Sequence, residues 1–397
     1  HLVYDIMKQF INETYPGLEV VVTTNEEEAY TDIDFVFAQI RQGGLKLRSS
    51  DEKIPLKYGV VGQETCGPGG SISYGMRSIP AIIHIIKMAK KYSPNCWILN
   101  YSNPAAVVAE ATRREFNNER ILNICDMPTA ILLSYSKMLG LDSWQSLDPC
   151  YFGLNHFGWF TALYDKEGKD RLPELREMIL TSGMTACSDK HHKDKDWQKT
   201  WKQYAEIVKD YPDFLPNSYL QYYLYSSEMV AKMDINRTRA DMVIEGREQE
   251  MFAEHKKYLE SPENYKSPLQ EFTVFGDFIV DAASSIAYNK GERFLVIVEN
   301  NGAIPNMPAD AMVEVPAYIR SWGPEPVSIP AIPTFHKGMM ENQLASEKLA
   351  VDAYFENSYD KALQAIAINK TVPSTTVARK ILDDLIEANG DYWPTLK

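Results

Sequence analysis

Apolar residues in the N-terminal third of the chain follow two alternating spacings. Short continuous runs rich in β-branched residues predict buried strands, and apolar positions about three or four residues apart predict amphipathic helices. Strands that alternate with helices are typical of a parallel sheet with helices on both faces. The predicted helices cover residues 1–12, 26–31, 80–92, 104–114 and 129–140, and the predicted strands cover residues 18–23, 34–40, 97–100, 120–125 and 157–164.

This order of elements predicts an α/β fold, a Rossmann-like doubly wound parallel sheet, for residues 1–154. Residues 155–397 differ, because long amphipathic helical stretches dominate there. We therefore expect a second, mainly helical α+β domain for substrate, metal and oligomer contacts. No G-x-G-x-x-G turn follows a strand in this sequence. The first strand and glycine loop of a dinucleotide fold are therefore expected upstream of residue 1, or to be absent, which would weaken dinucleotide binding.

Composition and charge narrow the classes of function. The 397 residues carry a formal net charge of −13, without the basic stripe that nucleic-acid binding requires. No apolar run reaches the length of a membrane span, about 18–20 residues. The five cysteines are scattered and do not suggest a disulfide framework. We expect a protein of the reducing cytoplasm with no nucleic-acid or membrane partner.

Ligands of a doubly wound sheet bind at the carboxyl ends of its strands, and the most informative loops there hold Cys125-Asp126 and His156. A thiolate and an imidazole at neighbouring strand ends are able to hold one divalent metal, with open positions for water and substrate oxygens. Asp126 beside them is a candidate general acid. The spacing alone is at least as well explained by a buried cysteine and a core histidine.

Other polar residues are candidates for binding sugar, ribose or phosphate. Asn100, Ser102 and Asn103 follow a predicted strand and suit sugar or nicotinamide-ribose hydroxyls, although Asn103 also has the position of a helix cap. Arg48 and Arg239 carry the guanidinium group that matches phosphate oxygens. Most arginines of an acidic protein form surface ion pairs, so this second interpretation stays open for both.

Eight segments of the sequence share one pattern of order and spacing, and they are Gly62–Gly70, Tyr74–Ile79, Asn100–Arg114, Asn123–Pro128, Gly153–Trp159, Pro216–Leu224, Glu292–Ile304 and Lys370–Ser374. Together they resemble glycoside hydrolase family 4 along nearly the whole chain. Cys-Asp-Met-Pro at residues 125–128 is similar to the 6-phospho-α-glucosidases of the family, since its phospho-β-glucosidases more often carry Asn after that cysteine. The opening strand and glycine loop of the family pattern have no counterpart here, and Gly70–Tyr74 is longer than the pattern by a residue.

The resemblance implies hydrolysis of 6-phospho-α-glucosides, such as maltose-6'-phosphate, to glucose 6-phosphate. It also implies a mechanism that differs from two-carboxylate hydrolysis. A bound NAD⁺ would oxidise the sugar at C3, a base would remove the C2 proton, and the glycosidic bond would then leave by elimination. Water addition and return of the hydride would complete the reaction, with a divalent metal, Mn²⁺, polarising a neighbouring oxygen.

The resemblance also implies roles for individual residues. The aromatic stripe around Tyr219 is otherwise explained by packing, and the cofactor-binding candidates Asn100 and Ser102 come from the residues alone. The implied roles are metal ligation by Cys125 and His156, proton donation by Asp126, proton abstraction by Tyr219 with Glu64 raising its basicity, and substrate binding by Arg48, Asn103 and Arg239.

Three alternatives stay open from the sequence. They are a 6-phospho-β-glucosidase of the same family, an NAD-dependent 2-hydroxy-acid dehydrogenase of related fold, and a sugar-phosphate-binding fragment without catalysis. Cys125 and His156 argue against the dehydrogenase, because hydride transfer to a hydroxy acid needs no metal. The expected partners are a phosphorylated disaccharide and further copies of the chain, in a homodimer or homotetramer.

Overall fold

The computed structural model describes residues 2–184, 195–264 and 274–397. Helices and strands within these residues are numbered in chain order. The helices are α1 Leu2–Thr14, α2 Glu26–Tyr30, α3 Gly44–Lys57, α4 Tyr74–Tyr92, α5 Ala105–Phe116, α6 Met127–Met138, α7 Leu172–Ser182, α8 Lys195–Asp210, α9 Gln221–Leu224, α10 Ser226–Ala231, α11 Arg239–Met242, α12 Glu248–Glu260, α13 Val274–Ala287, α14 Thr334–Glu356, α15 Tyr359–Ile368 and α16 Thr375–Asn389. The strands are β1 Phe35–Ala38, β2 Trp97–Asn100, β3 Ile121–Asn123, β4 Asp148–Leu154, β5 Phe157–Tyr164, β6 Leu215–Pro216, β7 Glu292–Glu299, β8 Met312–Arg320 and β9 Gly323–Pro326.

One sheet runs through the described strands in the order β1-β2-β3-β7-β8-β4-β5-β6, with β9 beside β8. The strands β1, β2 and β3 are parallel neighbours, which confirms the predicted α/β arrangement. From β3 onward the neighbouring pairs are antiparallel, so the sheet is mixed rather than wholly parallel. The predicted domain boundary at residue 154 lies at the last residue of β4, and it stays a prediction.

Residues 18–23 differ from the expectation of a buried strand. They pair with no strand of the described sheet, and Leu18, Val21 and Val22 are 58%, 60% and 62% exposed. A β-branched run favours extended backbone, but a buried strand also needs a neighbouring edge and an apolar face to cover. The run has neither among the described residues, so this prediction is wrong.

Helices pack on the sheet through separate apolar clusters. Ile82 and Ile86 of α4 pack with Ile98 of β2 and Val108 of α5. Farther along the sheet, α13 packs on β7 and β8, with Phe278 fully buried at the centre of the contact. Within the described ranges, no helix combines the length and the apolar composition that a membrane crossing requires.

A buried ion pair joins three helices around α3. Arg77 of α4 is 1% exposed, and its Nη2 lies 2.6 Å from Oδ2 of Asp51 on α3. The same guanidinium donates through Nη1 to Oδ1 of Asn389, at the end of α16, over 2.5 Å. Because an unpaired buried charge is costly, this pairing holds the three helices in one arrangement.

Residues 62–70 lie directly against the backbone of α3. A Cβ at Gly62 would lie 1.9 Å from the carbonyl oxygen of Glu52, and a Cβ at Gly69 would lie 1.9 Å from that of Asp51. Only glycine permits such an approach. A π-helical turn, Pro68–Ser73, follows. Because its hydrogen bonds run from i to i+5, it takes up more residues per turn than an α-helix.

Glu347 of α14 is a carboxyl group buried in the helical layer, with 4% of its surface exposed. Its Oε1 accepts a hydrogen bond from Nε2 of Gln343 over 2.8 Å. Burial raises the pKa of Glu347 from 4.5 to about 8, and the bond from Gln343 opposes this only in part. The folded state therefore favours the protonated form. Stability from this group is complete below about pH 4.5 and is lost as the pH rises through about 8.

Glu347→Gln should remove this pH dependence, because glutamine has nearly the same shape and cannot ionise. We expect a Tm close to wild type near pH 5. Near pH 9 we expect a Tm at least about 2 °C higher, since about 1 kcal/mol moves Tm by roughly 2–4 °C in domains of about 150–250 residues. Thermal unfolding by circular dichroism measures this, with Glu341→Gln, an exposed position on the same helix, as control. Parallel Tm–pH profiles for Glu347→Gln and wild type would contradict it.

Candidate active site

Cys125 and His156 meet beyond the end of β3. Cys125 follows this strand, and His156 lies in the turn between β4 and β5. Sγ of Cys125 lies 3.2 Å from Nε2 of His156, and the two residues are 4% and 5% exposed. The structure thus brings together the two residues predicted to ligate a metal. It does so through a hairpin turn, whereas the sequence suggested two parallel strand ends.

The β4–β5 turn sets the position of His156. Only Asn155 and His156 separate the two strands, and His156 has φ +61°, in the left-handed region that side chains larger than glycine rarely adopt. The hairpin is tight, because a Cβ at Gly153 would lie 2.4 Å from the Cα of Gly158. A strained backbone at a buried histidine is typical of a functional position.

A buried carboxyl group that the sequence analysis missed supports this turn. Glu314 of β8 accepts hydrogen bonds from Nδ2 of Asn155 over 3.2 Å and from the hydroxyl of Tyr151 over 3.0 Å. Asn155 also bonds the thiol of Cys125. Burial raises the pKa of Glu314 to about 7. The signal in the sequence was a single acidic residue within the apolar run of β8.

Burial favours the neutral form of both candidate ligands. It lowers the pKa of His156 to about 4, although the charge of Glu64 opposes this. A neutral imidazole has one nitrogen free to bind a metal. Burial also raises the pKa of the Cys125 thiol, and the charges of Asp126 and Glu314 raise it further. A bound divalent cation would reverse the preference of the thiol, because its charge stabilises the thiolate.

The donor set fits an open metal site. Among the residues that the structure describes, no three His, Cys, Asp or Glu side chains form a cluster placed to hold a metal ion. A cation bound by Cys125 and His156 alone would keep several coordination positions for water and substrate oxygens. Such open positions distinguish catalytic sites from closed structural zinc sites.

Asp126 lies beside this pair, with Oδ1 4.0 Å from Sγ of Cys125. Burial raises the pKa of Asp126, and the charge of Glu64 adds to the rise, whereas a hydrogen bond with Tyr101 opposes it. A carboxyl group with a raised pKa keeps its proton closer to neutral pH. This property suits a general acid.

Tyr219 stacks on the imidazole of His156, with ring centroids 4.3 Å apart and planes inclined by 13°. Its N–H donates to Oδ1 of Asn217 over 3.1 Å, which caps the short turn that presents the ring. Burial raises the pKa of the phenol, and the charge of Glu64 raises it further. The phenol therefore needs a nearby positive charge in order to ionise, and a cation held by the neighbouring Cys125–His156 pair would supply it.

Glu64 has two arginine partners. Its Oε2 lies 3.1 Å from Nη2 of Arg48, and its other carboxylate oxygen pairs with Arg41, which the sequence analysis missed. Nε of Arg48 also donates to Glu52, one helical turn later on α3, over 2.8 Å. Two guanidinium groups and two carboxylates therefore form one continuous, charge-balanced cluster beside Tyr219.

A cavity of about 480 Å³ opens beside this cluster. Its volume falls within the range of small-molecule sites. The metal-ligand candidates adjoin it through the ring of Tyr219, which lines the cavity and stacks on His156. The predicted residues that line the cavity are Arg48, Glu64, Tyr219 and Arg239, and those outside its wall are Asn100, Ser102, Asn103, Cys125, Asp126 and His156.

The end of β2 and the loop after it hold the remaining candidates. Asn100 donates to Oδ1 of Asn123 over 2.9 Å, and Oγ of Ser102 donates to the carbonyl of Ala38 over 3.2 Å, so both side chains tie adjacent strands together. Their cofactor role stays a prediction. Oδ1 of Asn103 is buried and has no hydrogen-bond partner in the described part of the chain. Such an acceptor fits a ligand N–H or O–H at the carboxyl ends of β1–β3, where a dinucleotide binds in folds of this type.

Two family models cover most of the chain. The model "Family 4 glycosyl hydrolase" matches residues 1–141, and the model "Family 4 glycosyl hydrolase C-terminal domain" matches residues 151–372. The chain belongs to glycoside hydrolase family 4. The resemblance seen in the sequence motifs is thereby confirmed, and a hydroxy-acid dehydrogenase is no longer supported.

The similarity to individual family 4 enzymes extends over nearly the whole chain. The maltose-6'-phosphate glucosidase of Bacillus subtilis (strain 168) is 50% identical over 389 residues, which are 98% of this chain and 86% of the relative. A crystal structure of a 6-phospho-α-glucosidase from gut microorganisms, in complex with NAD and Mn²⁺, is 45% identical with a TM-score of 0.95 and covers 100% of this chain and 90% of its own. A second structure of a 6-phospho-α-glucosidase from gut microorganisms, with NAD and glucose-6-phosphate, is 46% identical with a TM-score of 0.94 at the same coverage.

Cys125→Ser and His156→Gln should each weaken binding of a divalent cation to this family 4 chain by more than about tenfold, because each removes a predicted protein donor. Titration with Mn²⁺, followed by the electron paramagnetic resonance of the free ion, measures the affinity without any turnover. Cys150→Ser is the matched control, since Cys150 is a free cysteine on β4 outside the pair. Equal Mn²⁺ affinity in Cys125→Ser, His156→Gln and wild type would refute the ligand assignment.

Proposed function

We propose that the protein hydrolyses 6-phospho-α-glucosides, such as maltose-6'-phosphate, to glucose 6-phosphate, with NAD⁺ and Mn²⁺ as cofactors. One structural observation carries the proposal. His156 contacts Cys125 on one side and Tyr219 on the other. The two candidate metal ligands and a phenol therefore share one site, beside a cavity of substrate size. The similarity to enzymes that carry this activity, at about half of all positions, supports the same substrate class.

The candidate residues divide the proton transfers between them. When bound, NAD⁺ supplies an oxidant for the sugar C3, and Mn²⁺ supplies positive charge beside the sugar oxygens. Tyr219 takes the proton from C2 through its phenolic oxygen. Asp126 gives its proton to the glycosidic oxygen as that bond breaks, and its raised pKa lets it hold this proton beforehand.

The phosphate of the substrate is assigned to the arginines of the cavity. Arg48 and Arg239 both line it, and a guanidinium group offers paired N–H donors to phosphate oxygens. Asn103 offers its unpartnered Oδ1 to a hydroxyl of the sugar or of the cofactor. Anchoring the substrate through its phosphate would hold the reacting carbons near Tyr219.

The cellular location of the enzyme follows from the charge of its substrate. A phosphorylated disaccharide is charged and does not diffuse across a membrane, so we place the enzyme in the cytoplasm, downstream of a sugar importer that phosphorylates its cargo. We expect a homodimer or homotetramer, and no nucleic-acid or membrane partner.

Hydrolysis of p-nitrophenyl-α-glucoside 6-phosphate should require both cofactors. After chelation and removal of nucleotide, we expect activity only when Mn²⁺ and NAD⁺ are restored together, because one supplies charge and the other the oxidant. Absorbance of released p-nitrophenol measures the rate.

Two comparisons sharpen this assay. The α-linked substrate should react faster than the β-linked one, and the reverse order would support a 6-phospho-β-glucosidase. Activity without NAD⁺ in nucleotide-free protein would overturn the redox mechanism. Inactivity under every condition would favour a sugar-phosphate-binding protein.

Asp126→Asn should keep substrate binding and lose turnover selectively, because asparagine cannot donate a proton to the leaving oxygen. We expect a fall in kcat of about 10²–10⁴-fold on maltose-6'-phosphate. The fall should be much smaller on the p-nitrophenyl substrate, whose leaving group needs little protonation. Steady-state kinetics on the two substrates give the ratio, and unchanged rates on maltose-6'-phosphate would exclude Asp126 as the general acid.

A further inference from the structure

Glu52 lies where α3 meets the segment that carries Arg239. It is 1% exposed, and both of its carboxylate oxygens are engaged. Oε1 accepts Nε of Arg48 over 2.8 Å, and Oε2 accepts the backbone N–H of Ala240 over 2.8 Å. The buried carboxylate of Glu52 therefore contacts the side chain of Arg48 and the backbone N–H of Ala240, the residue that follows Arg239.

The segment around Arg239 is fixed to α3 by further bonds. Asp241 accepts Oγ of Ser49 over 2.9 Å and lies 2.8 Å from Nζ of Lys53. Asp241 also accepts the backbone N–H of Thr238 over 3.0 Å. The backbone N–H groups of the residues before and after Arg239, Thr238 and Ala240, thus donate to the carboxylates of Asp241 and Glu52.

The orientation of Arg48 depends on the same carboxylate. Its Nε is bound to Glu52, and its Nη2 lies 3.1 Å from Glu64, so the guanidinium plane is held at two points. Paired hydrogen bonds to a phosphate require such a fixed plane, because both N–H groups must face the oxygens together.

Only a carboxylate satisfies both partners of Glu52. Each partner is a donor, and an ionised carboxylate accepts through two oxygens. A glutamine at this position would have one acceptor and one donor, so its NH₂ group would face either the Nε–H of Arg48 or the N–H of Ala240. At 1% exposure water cannot replace the lost acceptor.

We propose that Glu52 is a positioning residue that sets Arg48 and Arg239 in a common geometry and thereby makes the enzyme specific for 6-phosphorylated sugars. The proposal rests on the proposed function, in which these two arginines bind the phosphate. Glu52 itself does not touch the phosphate or the reacting atoms. Glu52 therefore affects the affinity for the substrate, and it does not take part in the proton transfers at Tyr219 and Asp126.

Glu52→Gln should weaken binding of glucose 6-phosphate by about 10- to 100-fold, since a buried donor to a charged partner loses its acceptor. Isothermal titration calorimetry on the protein loaded with NAD⁺ and Mn²⁺ measures this. With p-nitrophenyl-α-glucoside 6-phosphate, KM should rise by the same factor while kcat changes less than about threefold. A merely structural defect would lower kcat together with the affinity and would leave no such division between KM and kcat.

Glu110→Gln is the matched control. Glu110 is 2% exposed and accepts Nε of Arg113 and Nε of Arg114 within α5, but it does not line the cavity. The same Glu-to-Gln substitution in this second buried arginine–carboxylate group should leave the affinity for glucose 6-phosphate unchanged. An equal loss in Glu110→Gln would show that the effect is general destabilisation, and the proposal would fail.

Glu52→Asp keeps the test decisive should Glu52→Gln fail to fold. Aspartate keeps the charge but is shorter by a methylene, so it cannot hold both donors, and we expect an intermediate loss of affinity. Wild-type affinity in either folded variant overturns the role of Glu52 and leaves the proposed function intact. If the wild-type protein itself binds no glucose 6-phosphate, the proposed function fails, and this proposal fails with it.

Discussion

The contact between the glycine-rich segment at residues 62–70 and the backbone of α3 is the constraint on which the site depends. Gly62 and Gly69 allow two main chains to meet where any Cβ would overlap a carbonyl oxygen. This contact brings Glu64 within 3.1 Å of Arg48. The helix α3 is itself held against α4 by the buried ion pair of Asp51 and Arg77. Packing of the main chain thus sets the distances among the charged groups beside the cavity.

Burial then sets the protonation states. At Cys125, Asp126 and His156 it favours the neutral form of each side chain. Neutral groups suit a proton donor and a ligand that must keep a free lone pair. The ionised residues lie instead in the arginine–carboxylate cluster, where each charge has an opposite partner. Neutral side chains at Cys125, Asp126 and His156 therefore lie apart from the paired charges of the arginine–carboxylate cluster.

Several local elements of the sheet were predictable from the sequence, whereas long-range pairing was not. The strands β2 and β5 have the predicted bounds, because each is an apolar run with clear ends. The antiparallel half of the sheet was missed, since such a run carries no information about the direction of its neighbour. Glu52 was missed for a similar reason, because its partner Ala240 is 188 positions away. Cys125 and His156 could be predicted as neighbours because both follow strands, although their contact depends on a hairpin.

Arg48 of the cavity is paired with carboxylates, which explains why ionising Tyr219 would still need the charge of a metal. Arg48 is close enough to Tyr219 for the two groups to interact electrostatically, but its charge is already shared by Glu52 and Glu64. Burial and the charge of Glu64 both raise the pKa of Tyr219. A divalent cation on Cys125 and His156 would add positive charge beside the stacked rings of His156 and Tyr219. The arginine–carboxylate cluster would not cancel this charge. Such a charge favours the phenolate, which is the form able to take a proton from carbon.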